Sequence, residues 1–239
     1  MKLDHPLIRY HGGKFRLASW IISYFPSHET YVEPFGGGAS VLLSKSPSRM
    51  EVYNDLDQDI VNFFEVLRDQ TLAEKLAFQV ELTPYSRSEF LNARAETNDR
   101  IEQARRLVVR AQMGFGSAGA TKGNTGFRLD TARGGSDIVT IWQRQPEVIR
   151  QAAARLKKVL IENRDAIKVI QDHDREDTLF FIDPPYVLDT RNMGGKAYRH
   201  EMSNADHEQL INVLNSCKGK IILCGYDHTI YEALNWKKV

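Results

Sequence analysis

The chain is short of the residues and runs that mark several common protein classes. Its 239 residues include two cysteines, Cys217 and Cys224. Their spacing suits neither a disulfide framework nor a thiolate metal site, so each is expected to act as a small buried hydrophobe in a reducing compartment. No apolar run approaches the ~20 residues needed to cross a bilayer, and the start Met1-Lys2-Leu3-Asp4-His5-Pro6 leads into no signal-type segment. The reading is a soluble cytoplasmic protein with no membrane partner. Net charge is also nearly absent, at +1, but the balance is uneven along the chain. Residues 84–158 carry 14 Lys and Arg against 7 Asp and Glu, whereas the remainder carries 18 against 24. A basic middle of this kind suits a polyphosphate partner.

What is present is organised around Leu179-Phe180-Phe181-Ile182-Asp183-Pro184-Pro185-Tyr186. Four apolar residues bounded by a turn signal predict a strand buried on both faces, as in a parallel α/β sheet. Asp183 then stands at the C-terminal edge, where open α/β sheets bind ligands. The two prolines stop the strand and leave the carbonyls of Asp183 and Pro184 outside any ladder. The result is a stiff loop with one carboxylate, free acceptors and an aromatic face. A carboxylate and a carbonyl can take both hydrogens of an exocyclic amino group while a flat base stacks on Tyr186. An Asx-type turn with Tyr186 packed inside is the plainer alternative.

Three further segments supply context. Tyr10-His11-Gly12-Gly13-Lys14 puts a glycine pair and a lysine ahead of a helical pattern at Leu17, Trp20, Ile21 and Tyr24. Thr30 to Phe35, followed by Gly36-Gly37-Gly38-Ala39-Ser40, reads as strand, glycine turn and helix, an arrangement that lets backbone N–H groups face a ligand. Met50 to Asp55 reads as a second strand ending in an acid, which can accept from ribose hydroxyls or cap the helix expected from Leu56 to Leu67. The α/β alternation then breaks over residues 70–157. A helix is expected from Ile101 to Gln112, carrying Arg105, Arg106 and Arg110. A glycine-rich basic loop follows, with Lys122, Arg128 and Arg133, and Trp142-Gln143-Arg144 is expected to close its far side. A loop of that length and composition suggests a surface that orders on nucleic acid. Strands resume at Lys158 to Asn163 and at Lys220 to Tyr226, with a polar lid expected from Val187 to Arg199. His200, Glu201 and His207 fit no standard metal spacing, and no metal is expected.

The order Tyr10-x-Gly12-Gly13-Lys14, Glu33-Pro34-Phe35-Gly36-Gly37-Gly38, Asn54-Asp55, basic insert, Asp183-Pro184-Pro185-Tyr186 resembles the D12 class, or alpha group, of Dam-type adenine-N6 DNA methyltransferases. Gly114-Phe115-Gly116, Gly126-Phe127-Arg128 and Tyr198-Arg199-His200-Glu201-Met202 with His207 also look like relatives carried by phages and prophages. The resemblance implies a Rossmann-like, S-adenosylmethionine-dependent sheet formed by residues 1–69 and 158–239. It also implies a mainly helical target-recognition insert at 70–157, double-stranded DNA as partner, and a bacterial or phage-infected cell, with a cognate restriction endonuclease as a further candidate partner. By the same resemblance, Tyr10, Lys14, Phe35, Gly36, Gly37, Gly38, Asp55, Asp165 and Asp183 would bind the cofactor. Asp183, Pro184, Pro185 and Tyr186 would act on a flipped adenine, and Arg105, Arg106, Arg110, Lys122, Arg128 and Arg133 would meet DNA. The family usually continues past the Tyr226 to Trp236 region into a terminal β-hairpin, whereas this sequence stops at Val239, so an exposed sheet edge is expected there. A cytosine-N4 enzyme, a DNA-binding relative without activity and a nicotinamide oxidoreductase are the alternatives. The glycine spacing and the paired prolines argue against the last.

Overall fold

The structure is a computed structural model and describes residues 5–121, 125–129, 138–191 and 197–239. Five strands form one parallel sheet: β1 Thr30–Glu33, β2 Met50–Asn54, β3 Val159–Glu162, β4 Thr178–Ile182 and β5 Lys220–Leu223. Their order is β3-β2-β1-β4-β5. The chain winds outward from β1 to β2 and β3, then returns to place β4 on the other flank of β1. The strand order therefore reverses between β1 and β4, the position at which such sheets open a ligand crevice. This is an α/β fold of the Rossmann-like methyltransferase kind.

Alternation along the strands decides which helices cover which face. Tyr31, Tyr53, Leu179 and Phe181 point into the larger core, and Val32, Val52, Phe180 and Ile182 into the smaller. All five residues of β4 are buried, as its unbroken apolar run predicts. The smaller core is closed by α8, Ala166–His173, and α9, Asn204–Ser216, through Val169, Ile170, Leu210 and Leu214. The larger core takes α2, Ser40–Ser44, and α3, Gln58–Arg68. It also takes α4, Gln70–Glu81, α6, Arg100–Met113, and α7, Ile138–Leu156. Leu76, Val108 and Ile149 lie in the same apolar cluster as Tyr31 and Tyr53, so the helices of the basic middle share the sheet's core. Acceptor side chains start these helices by satisfying first-turn N–H groups, Asp57 for α3, Asp69 for α4 and Asp99 for α6, while Ser203 and Asp206 form a capping box on α9.

Several sequence expectations change. The pattern at Leu17, Trp20, Ile21 and Tyr24 gives only a five-residue helix, α1, Ala18–Ile22, and Ile21 alone of the four is buried. Trp142 does not close a loop: it lies within α7, buried, and donates its indole N–H to the Thr83 carbonyl at 2.7 Å. The basic loop is paired at its base, where Phe115 N–H donates to Gly126 O at 2.7 Å and Arg128 N–H to Met113 O at 2.8 Å. Cys217 and Cys224 are half-buried rather than enclosed. A short α5, Arg87–Asn92, and two 3-10 turns, Leu188–Thr190 and Thr229–Ala233, complete the described elements. Among the described residues, no helix is long and apolar enough to cross a membrane.

Candidate active site

A cavity of about 270 Å³ opens at the C-terminal ends of β1, β2 and β4. Its floor is the glycine turn after β1. Gly37 adopts φ +47°, and a Cβ there would come within 2.7 Å of the Tyr10 ring, while one on Gly36 would collide with the ring of Tyr53. Only glycine permits this approach of backbone to aromatic ring. The Tyr53 hydroxyl donates to Gly37 O at 2.8 Å and fixes the turn from below. Asn54, buried at the end of β2, ties three loops together. Its side-chain NH2 donates to Pro34 O at 2.8 Å and to Arg164 O at 3.0 Å, and its carbonyl accepts from Arg164 N–H at 2.9 Å.

Acidic groups surround this floor. Asp55 accepts from Gly37 N–H and Asp57 N–H, each at 2.8 Å. The helix cap belongs to Asp57, so Asp55 remains a member of the cavity wall. Burial pushes Asp55 up to about 6, against those two N–H donors. Glu33, at the end of β1, accepts the Tyr31 hydroxyl and Leu42 N–H at 2.7 Å each. Burial raises it to about 7 despite these bonds. Asp165 caps α8 by accepting from Lys168 N–H at 3.2 Å and also lines the cavity.

Asp183 is held by the N-terminal segment. Lys14 Nζ lies 2.7 Å from Asp183 Oδ2 and donates to Gly12 O at 2.7 Å. The other oxygen, Oδ1, is buried without a well-formed hydrogen bond. The Tyr186 hydroxyl lies near enough to favour the carboxylate, though burial is the largest influence and raises the Asp183 pKa. Tyr186 stands edge-on to Tyr226, 5.1 Å between ring centres, with Lys14 Nζ 5.0 Å from its own ring centre. A carboxylate pinned by a cation on one oxygen, with its other oxygen buried beside an edge-to-face pair of aromatic rings, is equipped to accept from an amino group and hold a flat ring.

The structure thus brings Tyr10, Lys14, Phe35, Gly36, Gly37, Gly38, Asp55, Asp165, Asp183 and Pro185 to one cavity. Pro184 and Tyr186 stand outside its lining, on the adjoining Lys14 side. It does not bring Arg105, Arg106 or Arg110 there. Arg105 pairs with Glu102 and Glu89, and Arg106 with Glu102 and the carbonyls of Ala95 and Glu96. Arg110 is buried on Ala93 O and Asp59. Guanidinium groups already spent within the protein have little left for phosphates, so no DNA contact is assigned to these three. Arg128 is half-buried at the base of the basic loop; Lys122 and Arg133 lie outside the described residues.

Sequence reasoning gave no individual role to Asn54 or Glu33, and had Tyr198 and Arg199 only as members of the expected lid and of a family-like run. Tyr198 donates its hydroxyl to His11 O at 3.2 Å, and Arg199 reaches Asp57 at 2.7 Å and Asp59 at 2.9 Å. These contacts close the described end of the expected lid over the cavity. The polar run Tyr198-Arg199-His200-Glu201 was the available signal, but nothing in its spacing names its partners.

The family model for the D12 class N6 adenine-specific DNA methyltransferase matches residues 10–235. DNA adenine methylase of Haemophilus influenzae is 35% identical over 69 residues, 28% of this chain and 24% of that protein. DNA adenine methylase of Escherichia coli K12 is 31% identical over 71 residues, 30% and 25% of the two chains. The DNA N-6-adenine-methyltransferase of Escherichia phage P1 is 28% identical over 67 residues, 28% and 9%. The matched stretches therefore span a quarter or less of these curated relatives.

Proposed function

Because the chain belongs to the D12 class of N6 adenine-specific DNA methyltransferases, we propose that it methylates the N6 amino group of adenine in duplex DNA, with S-adenosylmethionine as donor. The observation that carries this reading is Asp183: one oxygen fixed by Lys14, the other buried with no well-formed hydrogen bond and the Tyr186 hydroxyl close by, at the strand-order reversal beside a glycine-floored cavity. The cavity's chemistry fits the cofactor. Acidic Asp55 offers acceptors for ribose hydroxyls, Gly36 to Gly38 carry no side chains to obstruct a methionine moiety, and Tyr10 and Lys14 close one side. When bound, S-adenosylmethionine supplies a methyl group already activated on a sulfonium.

The protein's own part is positional and electrostatic. An adenine inside a duplex is paired and stacked, so it must be flipped out at a cost of a few kcal/mol. Stacking on Tyr186 recovers roughly 1–3 kcal/mol of that. Asp183 and the Pro184 carbonyl accept the two N6 hydrogens, favour a more tetrahedral nitrogen and stabilise the positive charge that grows on it. Lys14 holds the carboxylate in register. Asp183 need not be a strong base, because the N6 proton becomes acidic as the new bond forms. Holding nitrogen and methyl in line supplies much of the remaining rate. Arg128 and the basic loop are the part of the chain proposed to face the phosphates.

The test is transfer of labelled methyl from S-adenosylmethionine to unmethylated bacterial DNA, followed by nucleoside analysis. N6-methyladenine is expected, and Asp183→Ala should abolish it. N4-methylcytosine, or near-normal turnover in the variant, would overturn the assignment.

A further inference from the structure

The loop after β4 is short of backbone donors, because Pro184 and Pro185 carry no N–H, and the last bond from β5 to β4 runs from Cys224 N–H to Ile182 O at 2.8 Å. Beyond that point a side chain takes over. Arg191 donates to the Tyr186 carbonyl. The same guanidinium grips Glu201 with two N–H bonds, at 3.0 and 2.8 Å. Glu201 in turn accepts from the backbone N–H groups of Ala197 and Tyr198, the latter at 2.9 Å. Tyr198 and Arg199 then fasten the cavity's cover to His11, Asp57 and Asp59. Side-chain exposure of the pair is 11% and 9%. One enclosed ion pair therefore holds the Tyr186 carbonyl on one side and the backbone of the cover on the other.

We propose that Arg191 and Glu201 are positioning residues that couple the two halves of the site, so that closing the cover over the cofactor sets Tyr186 for the target base. This rests on the methyltransferase reading above. The chemistry requires an arginine, whose planar fork serves a carboxylate and a carbonyl together; a lysine ammonium is a point charge without that geometry. Enclosing an ion pair gives little net stability, and its best-attested use is to fix register. A cover that closes on one ligand while ordering the seat of the other makes each ligand bind better in the other's presence, by the same factor.

The experiment measures the affinity of S-adenosylhomocysteine by calorimetry, alone and with saturating duplex DNA carrying the target site with its adenine unmethylated. Wild type, Arg191→Lys and Glu201→Gln are compared, with methyl transfer and thermal melting in parallel. For wild type, DNA should tighten the ligand by about fivefold or more, the lower end of ordinary coupling between sites. In Arg191→Lys and Glu201→Gln that factor should fall towards one. kcat should drop at least about tenfold, in line with loss of an orientation effect, while the melting transition stays cooperative. Coupling retained in either folded variant, or a loss of melting temperature alone, would make the pair merely structural and end the proposal. Absence of coupling in wild type would end it whether or not the variants fold. Wild type that transfers methyl groups without coupling refutes only this inference; wild type that transfers none removes the functional reading and this one with it.

Discussion

Replacing Glu33 by glutamine should change how stability depends on pH by a predictable amount. Glu33 is 2% exposed and accepts from Tyr31 and Leu42 at 2.7 Å. Burial, aided by the nearby Asp183 charge, raises it from 4.5 to about 7, against those bonds and Lys45. With its pKa raised in the folded state, the folded protein holds a proton that the unfolded chain has already lost over this interval. Its contribution is therefore most favourable below about 4.5 and is lost as pH rises to about 7. The gap corresponds to roughly 3 kcal/mol. Asp55, raised to about 6, acts with the same sign. It is common to both proteins and cancels in the difference. Urea unfolding of wild type and Glu33→Gln should be compared from about pH 4 to pH 8, where the full linkage accumulates. Wild type should lose roughly 3 kcal/mol more than the variant over that range, because glutamine has no charge to acquire. Parallel stability curves would mean that Glu33 is hydrated or ionised in the folded protein, and the argument from its enclosure would fail.

Further substitutions probe the floor of the site and the basic middle. Gly36→Ala forces a methyl group into the Tyr53 ring and should cost about 1–3 kcal/mol as overpacking, seen as a lower melting temperature and weakened binding of S-adenosylmethionine. Gly126→Ala, with nothing within 4 Å of the new carbon, is the matched control and should melt as wild type does. Charge reversal at Arg105 and Arg106 would set new carboxylates beside Glu89 and Glu102. We expect a loss of roughly 2–4 kcal/mol in stability, measured by urea unfolding, with an unchanged salt slope for DNA binding in the protein that remains folded. Arg128→Ala should instead leave folding intact and reduce that slope by about 0.9 per phosphate contact removed. A reduced slope in the reversal variants would return that helix to the DNA.

The sheet was legible because its signals are local. The run Leu179 to Ile182 is apolar on both faces, and prolines 34, 184 and 185 mark strand ends by what they cannot donate. The glycine turn and Asp183 could be placed at a ligand edge for the same reason. Helix α7 was not singled out within the helical insert, although Ile138, Trp142, Ile149 and Leu156 follow helical spacing; Pro146 sits within it. The partners of the α6 arginines were not legible for a different reason. Sequence reports that Arg105 and Arg106 are charged, but their acceptors include Glu89 and the Ala95 and Glu96 carbonyls, 10 to 16 residues away. The Arg191–Glu201 bond to the Tyr186 carbonyl could not have been read at all, since a backbone acceptor leaves no mark in the side-chain code.

The shared core of the sheet and helices α4, α6 and α7 also bears on how this protein can change over evolutionary time. Leu76, Val108 and Ile149 support Tyr31 and Tyr53, and Tyr53 in turn fixes Gly37. Exchanging residues 70–157 for those of a relative would therefore replace part of the foundation under the cavity floor, and such a chimera must repack the sheet whatever surface it acquires. Surface loops are under no such obligation. Drift should accordingly accumulate at exposed loop positions such as Phe115, Gly126 and Leu129, while the helices stay fixed by a duty to the fold.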